Sequence, residues 1–268
     1  MSKIRVPLTA LLAAAAAITL SACGSSSTPS SETPSADAEL TTIASGKLTV
    51  CSDVPYAPFE DFDEGSELGY TGFDIEIMNA VAENLDLELV VKDQGFDGIQ
   101  SGIVLNSKQC DVAASAITIT DERKANLDFT DAYYDSEQSL LVAVDSDIKS
   151  IDDLDGVKVG VQKATTGESY ATENAKGAEI VAFPSDAEMW PALQAGQVDA
   201  LLQDLPVNIE HTKDSGYTIV EQYDTGEQYG FAVSKGNTAL LEAVNGALSA
   251  IREDGSYDTI YDSYFAVN

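Results

Sequence analysis

The stretch GFDIEIMNAVAENLDLELVV, residues 72–91, reads as a helix followed at once by a strand. Phe73, Ile77, Val81 and Leu85 recur at i+4 with Ala80 beside them, which puts the apolar side chains on one helical face. Asp74 has the chemistry of an N-cap for that helix. Residues 87–91 read as a strand, and upstream so do residues 48–52, LTVCS. A strand–helix–strand unit is the mark of α/β architecture.

Outward from this unit the alternation continues. Residues 97–105 predict a helix, 111–115 a strand, Thr120 to Ala125 a short helix and 139–144 a buried strand. The pattern then restarts. A strand over 158–161 precedes Thr165-Thr-Gly-Glu168, a capping box for the next helix. A strand (179–183), a helix (187–195) stopped by Gly196 and an apolar strand (198–203) follow, then YGFAV at 229–233. Residues 238–253 predict a long helix with Leu240, Leu241, Val244, Leu248 and Ile251 on one face, ended by Gly255. An aromatic segment with Tyr257, Ile260, Tyr261, Tyr264 and Phe265 closes the chain. There is no sequence repeat, but two successive α/β units predict two lobes facing each other.

The first residues carry an address. Lys3 and Arg5 precede an apolar run over 6–20 broken only by Pro7, Thr9 and Thr19. A span needs ~20 apolar residues, so this run is a signal segment and not a transmembrane helix. Leu20-Ser-Ala-Cys23 resembles the bacterial lipobox, which implies a signal peptide over 1–22 and a lipidated Cys23 at the mature N-terminus. Residues 23–39 are Ser/Thr/Pro/Ala-rich without a large apolar side chain, the composition of a flexible linker. An acylated cysteine makes an exported protein held at the outer face of the cytoplasmic membrane, anchored to it and not spanning it.

Composition excludes several classes. With 14 basic and 45 acidic residues the net charge is −31, and loss of Lys3 and Arg5 with the signal makes it −33. Such a surface repels nucleic acid and anionic headgroups. His211 is the only histidine and reads as a solvated surface residue, so a multi-His metal site is ruled out. No metal and no cofactor is expected. Export permits Cys51 and Cys110 to pair. Strand register argues against it: in parallel neighbours their offset, at ~3.3 Å per residue, exceeds the ~7 Å Cα limit.

The segment Gly72-Phe-Asp-Ile-Glu-Ile77, with Val81-Ala82 and Leu85, resembles the signature of the polar-amino-acid-binding proteins of ABC transporters, solute-binding family 3. Asp53-Val-Pro-Tyr56-Ala-Pro-Phe59 resembles the first loop of that family, Ser115-Ala-Ile-Thr118-Ile-Thr-Asp-Glu-Arg123 its carboxylate-binding segment, and Phe129 to Tyr133 the continuation. Gly160 to Gly167 and Val198 to Asp204 match the second lobe, and Asp254-Gly-Ser-Tyr257 the tail, although Ser263 stands where the family usually has Lys. The resemblance runs from about residue 46 nearly to the end. It implies a periplasmic-binding-protein-like fold of type II, with mixed sheets flanked by helices and a double-crossover hinge. The lobes would be residues 40–140 plus 229–268, and 141–228.

In that register the residues make chemical sense as a seat for a free amino acid. Arg123 offers a planar fork of donors for the carboxylate, helped by backbone N–H groups near Thr118 and Thr166 at helix starts. Asp204, the Thr118 hydroxyl and the Ala116 carbonyl suit the ammonium. Tyr56 and Phe96 would cover the side chain, with Asp53 and Gln162 at its tip. Trp190 reads as packing. The implied function is a non-enzymatic, monomeric receptor that delivers an amino acid to an ABC permease. An acid at Asp53 and two aromatic walls lean to arginine, lysine or histidine; glutamine is the alternative ligand. The alternatives of other classes are a cyclohexadienyl or arogenate dehydratase on the same fold and an amino-acid sensor domain.

Overall fold

The computed structural model of the chain describes residues 40–266. The signal segment, Cys23 and the linker to residue 39 lie outside the described residues.

Two five-stranded mixed sheets organise the molecule, and a two-stranded sheet pairs β2 (Asp61–Phe62) with β3 (Tyr70–Thr71). In the first, β1 (Lys47–Ser52) runs parallel to β4 (Glu88–Asp93) on one side and β5 (Val112–Ala113) on the other. β12 (Ala232–Ser234) is antiparallel to β5 and to the edge strand β6 (Leu127–Phe129). Alternation along β1 sends Leu48 and Val50 into one core and Cys51 into another on the opposite face. The first core is closed by α1 (Phe73–Asn84) and α8 (Thr238–Glu253), which supplies Leu240, Val244, Leu248 and Ile251. The second is closed by α2 (Phe96–Gln100) and α3 (Ile103–Asn106).

In the second sheet the order is β11-β7-β10-β8-β9. β10 (Ala200–Asp204) lies parallel to β8 (Lys158–Gln162) and antiparallel to β7 (Tyr134–Ala143). β8 is parallel to β9 (Glu179–Phe183), and β7 is antiparallel to β11 (Tyr217–Tyr229). Ala200 and Leu202 face a core containing Ala171 of α5 (Thr166–Asn174), while Leu201 faces Met189 and Leu193 of α6 (Asp186–Gln194). A strand covered on both faces is apolar at every position, which is why residues 200–202 read as a run.

The chain crosses between the sheets twice, from β6 to β7 and from β11 to β12, and Tyr134 pairs with Tyr229 where the two connecting strands meet. It is therefore a two-lobed α/β fold. After the second crossing α8 and α9 (Ser256–Phe265) return to the first lobe, where Tyr257, Tyr261, Tyr264 and Phe265 ring Phe73.

Four expectations are corrected. The cap of α1 is Gly72, at φ 122°, not Asp74; a Cβ there would lie 2.2 Å from the Phe59 carbonyl oxygen. Asp74 is instead buried, accepting from the Ala116 N–H at 2.9 Å and the Tyr133 hydroxyl at 2.7 Å. The helix expected over 97–105 is split into α2 and α3 at Gly102, whose φ of 78° leaves the helical region. Cys51 and Cys110 do form a disulfide, with Cα atoms 5.7 Å apart. The register argument fails because β5 begins only at Val112; Cys110 sits in the loop before it, outside the strand. His211 is not solvated: its ring stacks on Trp190 with centroids 4.1 Å apart, and Nε2 lies 3.0 Å from Asp186 Oδ1.

Candidate ligand-binding site

The carboxyl ends of β1, β5, β8 and β10 converge on the gap between the lobes, the place where open α/β sheets bind ligands. Asp53 and Tyr56 follow β1, Ser115, Ala116 and Thr118 follow β5, Gln162 ends β8 and Asp204 ends β10. Phe96 opens α2, Arg123 lies in α4 (Asp121–Lys124), and Thr165 caps α5 so that Thr166 is its first residue. These residues line one narrow cavity, with a free volume of about 10 Å³. All of Asp53, Tyr56, Phe96, Ala116, Thr118, Arg123, Gln162, Thr166 and Asp204, predicted from sequence, are on its wall, joined by Ser115 and Thr165.

The lobes touch directly across this cavity. Gln162 Nε2 donates to Asp53 Oδ2 at 2.6 Å, and Lys163 pairs with Asp97 at 2.9 Å. Arg123 Nη2 donates to the Ala164 carbonyl at 3.1 Å, and Nη1 to the Thr118 carbonyl at 2.8 Å. The guanidinium lies 5.2 Å over the Phe96 ring. Ala116 and Ala164, one in each lobe, adopt φ of 46° and 65°; a non-glycine residue there stores strain of ~1–2 kcal/mol, a feature that clusters at functional sites.

The charges are unbalanced. Arg123 is buried, and among the described residues no carboxylate lies within ion-pair distance of it. Burial lowers its pKa, opposed by Asp204 and Glu227, but a guanidinium stays charged. Burial pushes Asp53 up to about 7, with Asp93 and Asp186 adding repulsion and the Gln162 bond opposing. Burial also lifts Asp204 to about 6, with Glu227 adding to it against donors from Tyr229, Tyr56 and Gln138. Behind the wall, burial and the neighbouring Asp74 hold Glu60 well above the carboxylate range, while Ser115 donates to it at 2.5 Å. The cavity wall thus carries a cation without an ion-pair partner among the described residues, together with the carboxyl groups of Asp53 and Asp204. That pattern suits a zwitterion, whose carboxylate and ammonium need opposite seats.

Sequence reasoning missed two side chains beside the cavity. Gln138 of β7 donates from Nε2 to Asp204 Oδ1 at 2.5 Å and to Glu227 Oε1 at 3.2 Å. Glu227 lies on β11, a strand whose mixed polar sequence gave no alternation to read. The pairing of β7 with β10 sets Gln138 opposite Asp204, and the pairing of β7 with β11 brings Glu227 within reach of Gln138.

The sequence profile of the bacterial extracellular solute-binding proteins, family 3, matches residues 48–267. The chain is 34% identical over 261 residues to a probable histidine-binding protein of Neisseria gonorrhoeae, covering 94% of this chain and 93% of that one. Among solved structures, an ancestral arginine-binding protein bound to glutamine superposes with a TM-score of 0.78 at 38% identity, covering 83% of this chain and 99% of that chain. An ancestral amino acid-binding protein described as a precursor of cyclohexadienyl dehydratase superposes with a TM-score of 0.76 at 37% identity, covering 82% and 96%.

Proposed function

The chain belongs to the bacterial extracellular solute-binding proteins, family 3, and on that footing we propose that it captures a free amino acid between its lobes and presents it to an ABC permease. The observation that carries this reading is that one cavity wall carries both the buried cation Arg123 and the carboxyl group of Asp204. The ligand carboxylate takes the Arg123 fork and the N–H groups at the start of α5, and its ammonium takes Asp204 and Thr118. Tyr56 and Phe96 wall the side chain, whose tip meets Asp53 and Gln162.

The carboxylates Asp93 and Asp186 around Asp53 favour a cationic tip, hence arginine, lysine or histidine. A group poised at about 7 also serves a neutral amide, because its protonated form donates to a carbonyl. Glutamine in the related ancestral binder supports that second ligand. A thermal-shift screen of the twenty amino acids decides between them, since a ligand at 100 times its Kd stabilises by ~2.7 kcal/mol. No shift with any amino acid would overturn the reading.

The likeness to a dehydratase precursor favours one alternative, an enzyme on this fold. Incubation with prephenate and arogenate tests it; turnover would place the chain in that class. The proposal extends to the address: cleavage before Cys23, acylation there, and a monomer tethered by residues 23–39.

A further inference from the structure

Glu227 lies outside the cavity wall yet holds hydroxyls from both lobes. Its Oε2 accepts from Thr118 Oγ1 at 2.8 Å and from Thr166 Oγ1 at 2.7 Å, one following β5 and the other opening α5. Its Oε1 accepts from Thr225 Oγ1 at 3.0 Å and from Gln138 Nε2 at 3.2 Å, the same nitrogen that reaches Asp204 Oδ1 at 2.5 Å. The two threonine oxygens are 3.4 Å apart and both line the cavity.

A threonine hydroxyl has one proton and two lone pairs. With both protons committed to Glu227, each oxygen offers the cavity lone pairs alone. Next to them stands the Asp204 carboxylate, also an acceptor. That end of the cavity therefore meets a ligand with acceptors only and with negative charge. An α-ammonium, with three donors and a positive charge, satisfies it. An α-hydroxyl brings a single donor and no charge, and leaves buried acceptors unpaired.

We propose that Glu227 is a positioning residue that draws the Thr118 and Thr166 hydroxyl protons away from the ligand and so makes the site select an α-ammonium over an α-hydroxyl. This rests on the reading of the cavity as an amino-acid seat. Glu227 touches no ligand in this account; it acts through the two threonines.

The test is a ratio. Affinities of L-arginine and argininic acid, and of L-histidine and imidazole-lactic acid, are measured by calorimetry for the wild-type protein and for Glu227→Met, which keeps length and removes the acceptor. The amino-acid to hydroxy-acid ratio is expected to fall at least tenfold in Glu227→Met. Glu227→Gln, whose amide oxygen still accepts, is expected to restore part of it. A purely structural role would weaken both members of each pair alike, and an unchanged ratio overturns the inference while the binding function stands. If the wild-type protein binds neither arginine nor histidine, the same ratio is measured for the amino acid that gives the largest thermal shift and its α-hydroxy analogue; no shift with any of the twenty amino acids overturns the amino-acid reading and this inference with it. Should Glu227→Met not fold, Glu227→Ala carries the same comparison.

Discussion

The Tyr56 hydroxyl donates to Asp204 Oδ2 at 2.8 Å across 148 positions of sequence. Tyr56 follows a strand of the first lobe and Asp204 ends a strand of the second, so the bond exists only when the lobes meet. Burial and the facing carboxylate hold the tyrosine well above its ordinary pKa, and it remains a donor at every physiological pH. The Asp204 carboxyl group is therefore held by Tyr56 on one oxygen and by Gln138 on the other.

Arg123→Ala is expected to weaken amino-acid binding by about 2–5 kcal/mol, the cost of truncating one partner of a buried charge pair. The fold should survive, since Arg123 bonds only two carbonyls and an adjacent ring. Calorimetry showing undiminished affinity would remove Arg123 from the site.

Asp53→Asn separates the two ligand classes. If a cationic tip pairs with Asp53, arginine or lysine affinity falls more than tenfold, above ~1.4 kcal/mol. Glutamine affinity should change little, because the amide keeps one acceptor and the shape. Equal losses for both ligands would contradict a charge pair at the tip.

Stability of the ligand-free protein should fall as pH rises from about 4 to about 7. Asp53 at about 7 and Asp204 at about 6 are raised from 3.8, so between these limits the native state holds protons that the unfolded chain has released. The sign follows: a state that binds more protons is favoured at lower pH. Calorimetric melting at pH 5 and pH 8 should give the higher Tm at pH 5, with the gap narrowed in Asp53→Asn. A higher Tm at pH 8 would show that these carboxylates ionise at ordinary values.

The disulfide closes a loop of 59 positions and should contribute about 2–5 kcal/mol to stability. Cys51→Ala with Cys110→Ala should lower the unfolding free energy by that amount while binding persists, because neither sulfur lines the cavity. Thiol titration of the unreduced, denatured protein should find neither cysteine free; two reactive thiols there would refute the bridge.

The address is tested at Cys23. The wild-type protein should partition with membranes and carry an acylated N-terminal Cys23, and Cys23→Ala should be released. A wholly soluble wild-type protein beginning before Cys23 would show ordinary secretion instead.

Much of this molecule was legible from local pattern. The i+4 row in α1, the one-faced apolar helix α8 and the apolar run of β10 are properties of consecutive residues, because helical and strand periods act over a few positions. The residues of the cavity wall were also legible, since they sit in short segments at strand ends that resemble those of a known family. The tertiary structure alone decided the rest. Asp74 looked like a cap, but its carboxylate is claimed by Ala116 and Tyr133, partners far along the chain. Cys51 and Cys110 meet because a loop, not a strand, carries the second sulfur. Glu227 faces Thr118 and Thr166 only after β11 pairs with β7 and the lobes close. Hydrogen bonds and charge are set by distance in space, which short-range sequence periodicity does not encode.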